Sequence, residues 1–464
     1  MLAQFISSNR EVLTYFWIII FLLIVVGLSI SFIYKNYVLS FILFLVVASS
    51  VSYYYGVYSY RYKTFPFNNF FKSDSTIEKK NNLNTAYHEL IISKYNLPKH
   101  SKYGGIDFIN NQLVYMSGSK EMYLLEKNDK SIYNFREIKI EKIPNNHNKF
   151  IKKHTKDVGK FDAEDLFGVK DILVSNFSNF DNKLLLASSN YYDEKNDCYN
   201  ISIYSNEIID EKNYKFSNWR KIFATKNCLS INLTPEGKFS GRSSGGRIVK
   251  FDENHILLSV GEFTYDGLKG PILSQNLSND YGKILKININ NSSYKIFSIG
   301  HRNPQGLFVD KNKNIFSTEH GPKGGDELNL IFENKNYGWP IATFGTRYRG
   351  KKNWPPDQTN NTHDGFEKPI YAWGPTFGIS NLIVYDSDYF DRWKGNLLIS
   401  FLVAESLVRI IFDDKKDSVI YYENINIGNR IRDIIQSPDG KIVLLTDSSS
   451  REKVPELIFL TKEK

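Results

Sequence analysis

Two cysteines in 464 residues leave room for one intrachain bridge at most. The chain has no long run of lysine or arginine and no recognisable nucleic-acid motif. Its net charge of +9 comes from 59 basic and 50 acidic residues spread along the whole sequence. That pattern reads as a solvated surface, so nucleic acid is not expected as a partner. Apolar and aromatic residues are plentiful instead: 42% of the chain is hydrophobic and 15% aromatic, with 30 Tyr and 33 Phe. Such a composition favours strands over helices and can bury one large core.

The first sixty residues are a separate regime. Tyr15 to Tyr34 is apolar and uncharged, long enough to cross ~30 Å of hydrocarbon, and after Lys35 and Asn36 a second uncharged run extends from Tyr37 to Tyr60. The second run ends in Tyr53, Tyr54, Tyr55, Tyr58 and Tyr60, an aromatic belt suited to a membrane interface. We expect a hairpin of two transmembrane helices over 1–60, a linker over 61–100 and the globular domain over 101–464. A basic stretch at 138–160 is expected as a solvated loop.

Two signals bear on the side of the membrane, and they disagree. Arg10, Arg61 and Lys63 outside the turn against Lys35 within it would place the domain in the cytoplasm. Cys198 opens one apparent strand and Cys228 follows the next. If the two strands pair antiparallel through the polar turn near Asp210, the cysteines come together. A disulfide there favours an oxidising, extracytoplasmic compartment, which is the side expected; two free buried thiols are the alternative.

Beyond the linker, a polar turn feeds six times into a short apolar strand ending in small or hydroxylated residues. The segments are Asn111 to Ser117, Asn182 to Ser188, Asn254 to Ser259, Lys313 to Thr318, Gly395 to Ser400 and Gly440 to Thr446. Spacings of roughly 45 to 80 residues suit a radial array of four-stranded sheets. An all-β, six-bladed β-propeller is therefore expected, its last blade completed by a strand from near the start of the domain, with function in the loops at one end of the axis.

Glycine, proline and charge crowd those loops between Tyr281 and Pro340: Gly300-His-Arg-Asn-Pro-Gln-Gly306, Glu319-His-Gly-Pro-Lys-Gly-Gly-Asp-Glu-Leu-Asn-Leu330 and Asn336-Tyr-Gly-Trp-Pro340. With Gly245-Gly-Arg-Ile-Val249, Tyr371-Ala-Trp-Gly-Pro375, Trp393-Lys-Gly395 and Arg430-Ile-Arg-Asp433, this stretch resembles the glucose/sorbosone dehydrogenase family, the soluble-type aldose dehydrogenases that use pyrroloquinoline quinone (PQQ). The resemblance spans roughly residues 160 to 450 and implies a six-bladed propeller. It also implies PQQ contacts from Arg302, Asn303, Arg430 and Arg432, and a calcium ion held partly by the carbonyls of Gly321 and Pro322. A surface ion pair with Asp433 is the alternative for Arg430 and Arg432. Asp326 and Glu327 are expected to pin the loop rather than bind metal.

Three positions depart from the family. Ser243 stands where a histidine acts as general base on the sugar C1 hydroxyl, Val403 replaces a lysine, and Leu166 aligns with a glutamine. His255, which begins a strand, and His301 and His320, which belong to the family motifs in structural roles, are expected to be poor substitutes for the missing histidine. Two functions follow: oxidation of an aldose sugar with PQQ and calcium by a membrane-anchored protein, or a catalytically impaired propeller that binds a sugar, ligand or protein partner without redox chemistry.

Overall fold

The computed structural model describes residues 79–98, 103–127, 133–154, 166–234, 241–267, 270–347, 363–447 and 455–462. The hairpin expected over 1–60 lies outside the described residues, and no helix among those described is long and apolar enough to cross a membrane.

Six sheets surround one axis. Their innermost strands, Gly104–Ile109, Val169–Ser175, Gly245–Lys250, Pro304–Val309, Ile379–Val384 and Ile431–Gln436, touch one another in that order, and the last returns to the first. We number the blades one to six by these strands. Blade six is built from both ends of the domain: Glu456–Lys462 pairs on one edge with Ile442–Thr446 and on the other with Glu89–Asn96, which in turn pairs with Lys79–Asn84. Closure by an early strand leaves the ring without a free seam, as expected. The segment expected as a linker therefore holds two strands of the closing sheet. The basic stretch expected as a solvated loop likewise carries a helix, His147–His154, which buries Phe150 and His154.

Each of the six repeats is the second strand of its blade. These strands have a hydrogen-bonded neighbour on either edge and another blade on either face, so Ile315–Glu319, Leu397–Phe401 and Ile442–Thr446 are buried throughout. A Leu or Ile buried in this way contributes roughly 2 kcal/mol. Their hydroxyl-bearing ends fasten one blade to the next. Ser188 Oγ donates to the Gly246 carbonyl at 2.5 Å, Ser259 Oγ to Pro304 at 3.0 Å, and Thr318 Oγ1 to Ser380. Within blade five, Ser400 Oγ donates to the Asn381 carbonyl at 2.9 Å, and Ser380 Oγ reaches the Ile431 carbonyl of blade six. Each such bond is worth about 1 kcal/mol and fixes the distance between neighbouring blades.

Cys198 opens the long third strand of blade two, Cys198–Asp210. Cys228 precedes Leu229–Ser230, which pairs back onto that strand with Ser230 opposite Cys198. Their Cα atoms are 5.6 Å apart and the two form a disulfide, so the free-thiol alternative falls.

Candidate active site

The inner strands carry the polar residues of the axis. Arg247 Nη1 donates to Asp171 Oδ1 at 2.8 Å and to Asp433 Oδ1 at 2.9 Å, joining blades two, three and six. Asn381 Nδ2 reaches the same Asp433 oxygen at 2.6 Å, and Arg247 Nε donates to the Gln305 carbonyl at 3.2 Å. One guanidinium thus serves two buried carboxylates. Burial pushes Asp171 up to about 7 against the pull of Arg247, and Asp433 adds to the rise.

Above this network a cavity of about 360 Å³ opens at the end of the axis where the inner strands begin. The sequence-derived residues Ser243, Arg302, Asn303, Gly321, Pro322, Val403 and Arg432 line it together, although they come from four different blades. Arg302 Nη1 donates to the carbonyls of His320 at 3.1 Å and Gly321 at 2.9 Å. Its guanidinium carbon lies 5.2 Å from the Trp339 ring centroid, and its Nε is buried with no hydrogen-bond partner. Asn303 Oδ1 accepts from Gly245 N at 3.2 Å and Gln305 Nε2 at 2.9 Å, tying the Ser243 loop to blade four.

The two remaining arginines differ from each other. Arg432 donates to Gln305 Oε1 at 2.9 Å and pairs with Asp447, again with a buried, unpartnered Nε. Asp433, the alternative partner considered for it, is taken by Arg247. Arg430 does not line the cavity: its Nη1 donates to the Leu402 carbonyl at 3.1 Å behind the wall, and burial, aided by Arg432, depresses its ionisation.

Asp326 is fully buried and accepts from Gly321 N at 3.1 Å, Thr376 Oγ1 at 2.9 Å and Gly378 N at 2.7 Å. It pins two loops, the role expected of it. Gly321 sits in that pinned turn, where an added Cβ would stand 2.2 Å from the Gly324 carbonyl oxygen. Leu166 is buried in the core of blades two and three and is not on the cavity wall, which corrects its expected place there. Val403 is 57% exposed at the mouth.

Ser243 adopts φ 53°, and its backbone carbonyl accepts from Phe263 N at 3.0 Å. His301 is wholly buried, stacked on Tyr337 at 4.8 Å and hydrogen-bonded to Ser298 Oγ at 2.8 Å, so it is structural. His255 faces Asp252 at 2.7 Å on a blade turn. His320, expected in a structural role, instead lines the cavity. Burial and the guanidiniums of Arg302, Arg432 and Arg430 hold it down to about 4 against the pull of Asp326, which makes it a weak proton acceptor.

The sequence reading missed Tyr103, Lys170, Gln305 and Leu402 on the wall. Lys170-Asp171 and Arg432-Asp433 are the same pair on two inner strands, the Asp turned to the axis and the preceding base to the cavity. Aligning the inner strands would have revealed Lys170.

The sequence pattern of the family described as Glucose / Sorbosone dehydrogenase matches residues 121–455. The chain belongs to that family. It is 32% identical over 225 residues to the aldose sugar dehydrogenase YliI of Escherichia coli (strain K12), a match covering 46% of this chain and 59% of that protein. The chain thus spans less than two thirds of that relative's length. A crystal structure of a glucose dehydrogenase superposes with a TM-score of 0.62 at 22% identity, covering 80% of this chain and 99% of the other. The PQQ-bound form of aldose sugar dehydrogenase from Streptomyces coelicolor does so with a TM-score of 0.54 at 17% identity, over 84% and 99%. At these identities the two structures speak for the fold alone.

Proposed function

We propose that this chain is a quinoprotein-type dehydrogenase that oxidises an aldose sugar in its axial cavity. The observation carrying this reading is the convergence of Arg302 and Arg432, each with a buried Nε lacking a hydrogen-bond partner, on a cavity whose lining holds no carboxylate among the described residues. A planar tricarboxylate such as PQQ suits that wall, because guanidinium groups take carboxylates in paired hydrogen bonds. Arg302 and Arg432 would hold it, with Arg430 adding positive charge from behind the wall. When bound, PQQ supplies the two-electron acceptor that oxidation of a sugar hydroxyl requires. Calcium would be held through the carbonyls of Gly321 and Pro322.

The protein's own residues orient and enclose. Asn303 anchors the Ser243 loop through Gly245, and Leu402 and Val403 give one wall an apolar surface. The hydroxyl of Ser243 can orient a sugar hydroxyl but is a poor acceptor of its proton, so turnover is expected to be slow. That defect favours a second reading, a propeller that binds its ligands without redox chemistry. The N-terminal apolar runs support a membrane anchor, and the disulfide supports an extracytoplasmic position for the propeller.

The test is titration of the full chain in detergent with PQQ and calcium, followed by Trp fluorescence, then addition of an aldose while the quinone absorption is recorded. Quenching followed by bleaching of the quinone is expected. No PQQ binding would refute the cofactor site, and binding without any bleaching would favour the second reading.

A further inference from the structure

We infer that Gln305 is a positioning residue of the cavity: its amide fixes which way the amide of Asn303 faces and holds Arg432 on the wall, so that both present donors to an anionic cofactor. The cofactor part of this inference rests on the quinoprotein reading, and the orientation of Asn303 does not.

Gln305 belongs to the inner strand of blade four, Pro304–Val309, where its backbone carbonyl accepts from Arg247 Nε at 3.2 Å. Its side chain lines the cavity and is bonded at both ends. Oε1 accepts from Arg432 Nη1 of blade six at 2.9 Å, and Nε2 donates to Asn303 Oδ1 at 2.9 Å. The same Asn303 oxygen accepts from Gly245 N at 3.2 Å, two residues after Ser243. One side chain thus connects an arginine suited to the cofactor, an amide suited to the cofactor and the segment that carries Ser243.

The polarity of this chain of bonds follows from its two ends. A guanidinium only donates, so the atom of Gln305 that meets Arg432 is its oxygen, and the atom that meets Asn303 is its nitrogen. A backbone N–H also only donates, so Gly245 requires the oxygen of Asn303 for itself. Both requirements select the same orientation. Turning Asn303 over would set its Nδ2 against two donors. Turning Gln305 over would set donor against donor at Arg432 and acceptor against acceptor at Asn303. With Oδ1 taken twice, the group that Asn303 offers to the cavity is Nδ2 and its two N–H donors. Carboxylate and quinone oxygens accept from such a group. Gln305 also holds Arg432 with a neutral oxygen, where a glutamate would hold it equally well and cancel part of the charge that a carboxylate ligand needs.

The experiment compares Gln305→Met and Gln305→Glu with the unsubstituted full chain in detergent by two readouts. The first, made without cofactor, is hydrogen–deuterium exchange of the Gly245 amide, read by mass spectrometry from overlapping peptides. The second is PQQ binding with calcium, followed by Trp fluorescence. Methionine fills similar space without an amide, whereas ionised glutamate still accepts from Arg432 but cannot donate to Asn303. In both variants Gly245 should exchange at least about ten-fold faster and PQQ should bind at least about ten-fold more weakly. A double-mutant cycle of Gln305→Met with Asn303→Ala should show a coupling of at least about three-fold in PQQ affinity, which a general loss of stability would not produce. Gln436→Met, whose amide accepts from Asp386 N at the far end of the inner strand of blade six, should leave both readouts unchanged. Unchanged Gly245 exchange in the Gln305 variants would overturn the inference, and if Gln305→Met fails to fold, Gln305→Glu decides alone. Faster exchange with unchanged PQQ affinity, or effects of Gln305→Met and Asn303→Ala that simply multiply, would overturn its cofactor part. No PQQ binding by the unsubstituted chain would refute the quinoprotein reading, and the exchange measurement would still decide the orientation of Asn303.

Discussion

Arg302 Nη1 donates to the Gly321 carbonyl oxygen at 2.9 Å, so the guanidinium suited to a cofactor carboxylate and the carbonyl suited to calcium are bonded to each other. A cation held at Gly321 would compete with the guanidinium for that oxygen, and a displaced Arg302 would be free to meet an anion in the cavity. Binding at the two places is therefore linked, and linkage is reciprocal.

Calcium should tighten PQQ binding, and PQQ should tighten calcium binding, by the same factor of about 5 to 150. Titrating PQQ in calcium and in excess chelator measures the first, and titrating calcium with and without PQQ measures the second. Affinities indifferent to the other ligand would show that Arg302 never leaves Gly321.

The axial triad gives stability a pH dependence. Asp171 is raised to about 7, so its folded form holds a proton that the unfolded chain has already released near pH 4. Its contribution is intact below about pH 4 and lost as the pH rises through about 7. Through Asp171 the unfolding free energy should fall by roughly 2 kcal/mol between pH 5 and 8, and buried Asp107, also raised to about 7, adds to the fall. In Asp433→Asn the acceptor facing Arg247 and Asn381 is kept and one buried negative charge is removed. Denaturant curves of that variant should be flatter across the same range, and an equal slope in both proteins would count against the triad as the source.

The Cys198–Cys228 bridge closes a loop with a sequence separation of 30. Removing it through Cys228→Ser with Cys198→Ser should cost about 3 to 4 kcal/mol, on the chain-entropy estimate for a loop of this length. Equilibrium unfolding of the double variant tests this. A loss below about 1 kcal/mol would mean that the pairing of Leu229–Ser230 alone holds the segment in place.

Leu90 separates the observed closure from the expected linker. It is fully buried in the core between blades five and six, on a strand paired to Glu456–Lys462. Leu90→Ala should destabilise the fold by about 2 to 5 kcal/mol, whereas the same change in a linker would stay within about 0.5 kcal/mol. Chemical denaturation of the variant decides between them.

The blade count was legible because second strands are buried on both faces and so are written as unbroken apolar runs. Inner strands were harder to see. Asp171, Arg247, Asn381 and Asp433 interrupt their apolar pattern, because these side chains bond to one another across the axis. Strand Lys79–Asn84 was hidden for a different reason: among the described residues it pairs on one edge only, so the polar run Asn81-Asn82 is tolerated in it and reads as linker. Ser243, Arg302 and the Gly321 turn were found through motifs. Lys170 was missed because nothing in its own sequence neighbourhood says that Gly246 packs against it.

Ser243 is the sharpest test of the redox reading. Its φ of 53° lies in the left-handed region, which histidine enters more readily than most side chains, so Ser243→His should fold with little backbone cost. Unlike His320, which sits among three guanidiniums, a histidine here would have Ser244 and Gly245 as its neighbours, with Arg242 as the adjacent cation on its own segment. With PQQ and calcium supplied, aldose oxidation should rise by about 100-fold or more, within the range that a positioned general base provides. Because Leu166 is in the core and not at the cavity, only Val403 remains as a second departure on the wall. If Ser243→His gains nothing while PQQ still binds, Val403→Lys in the same protein becomes the informative variant. If the unsubstituted protein already turns over sugar rapidly, the proton goes elsewhere and Ser243 is not the defect.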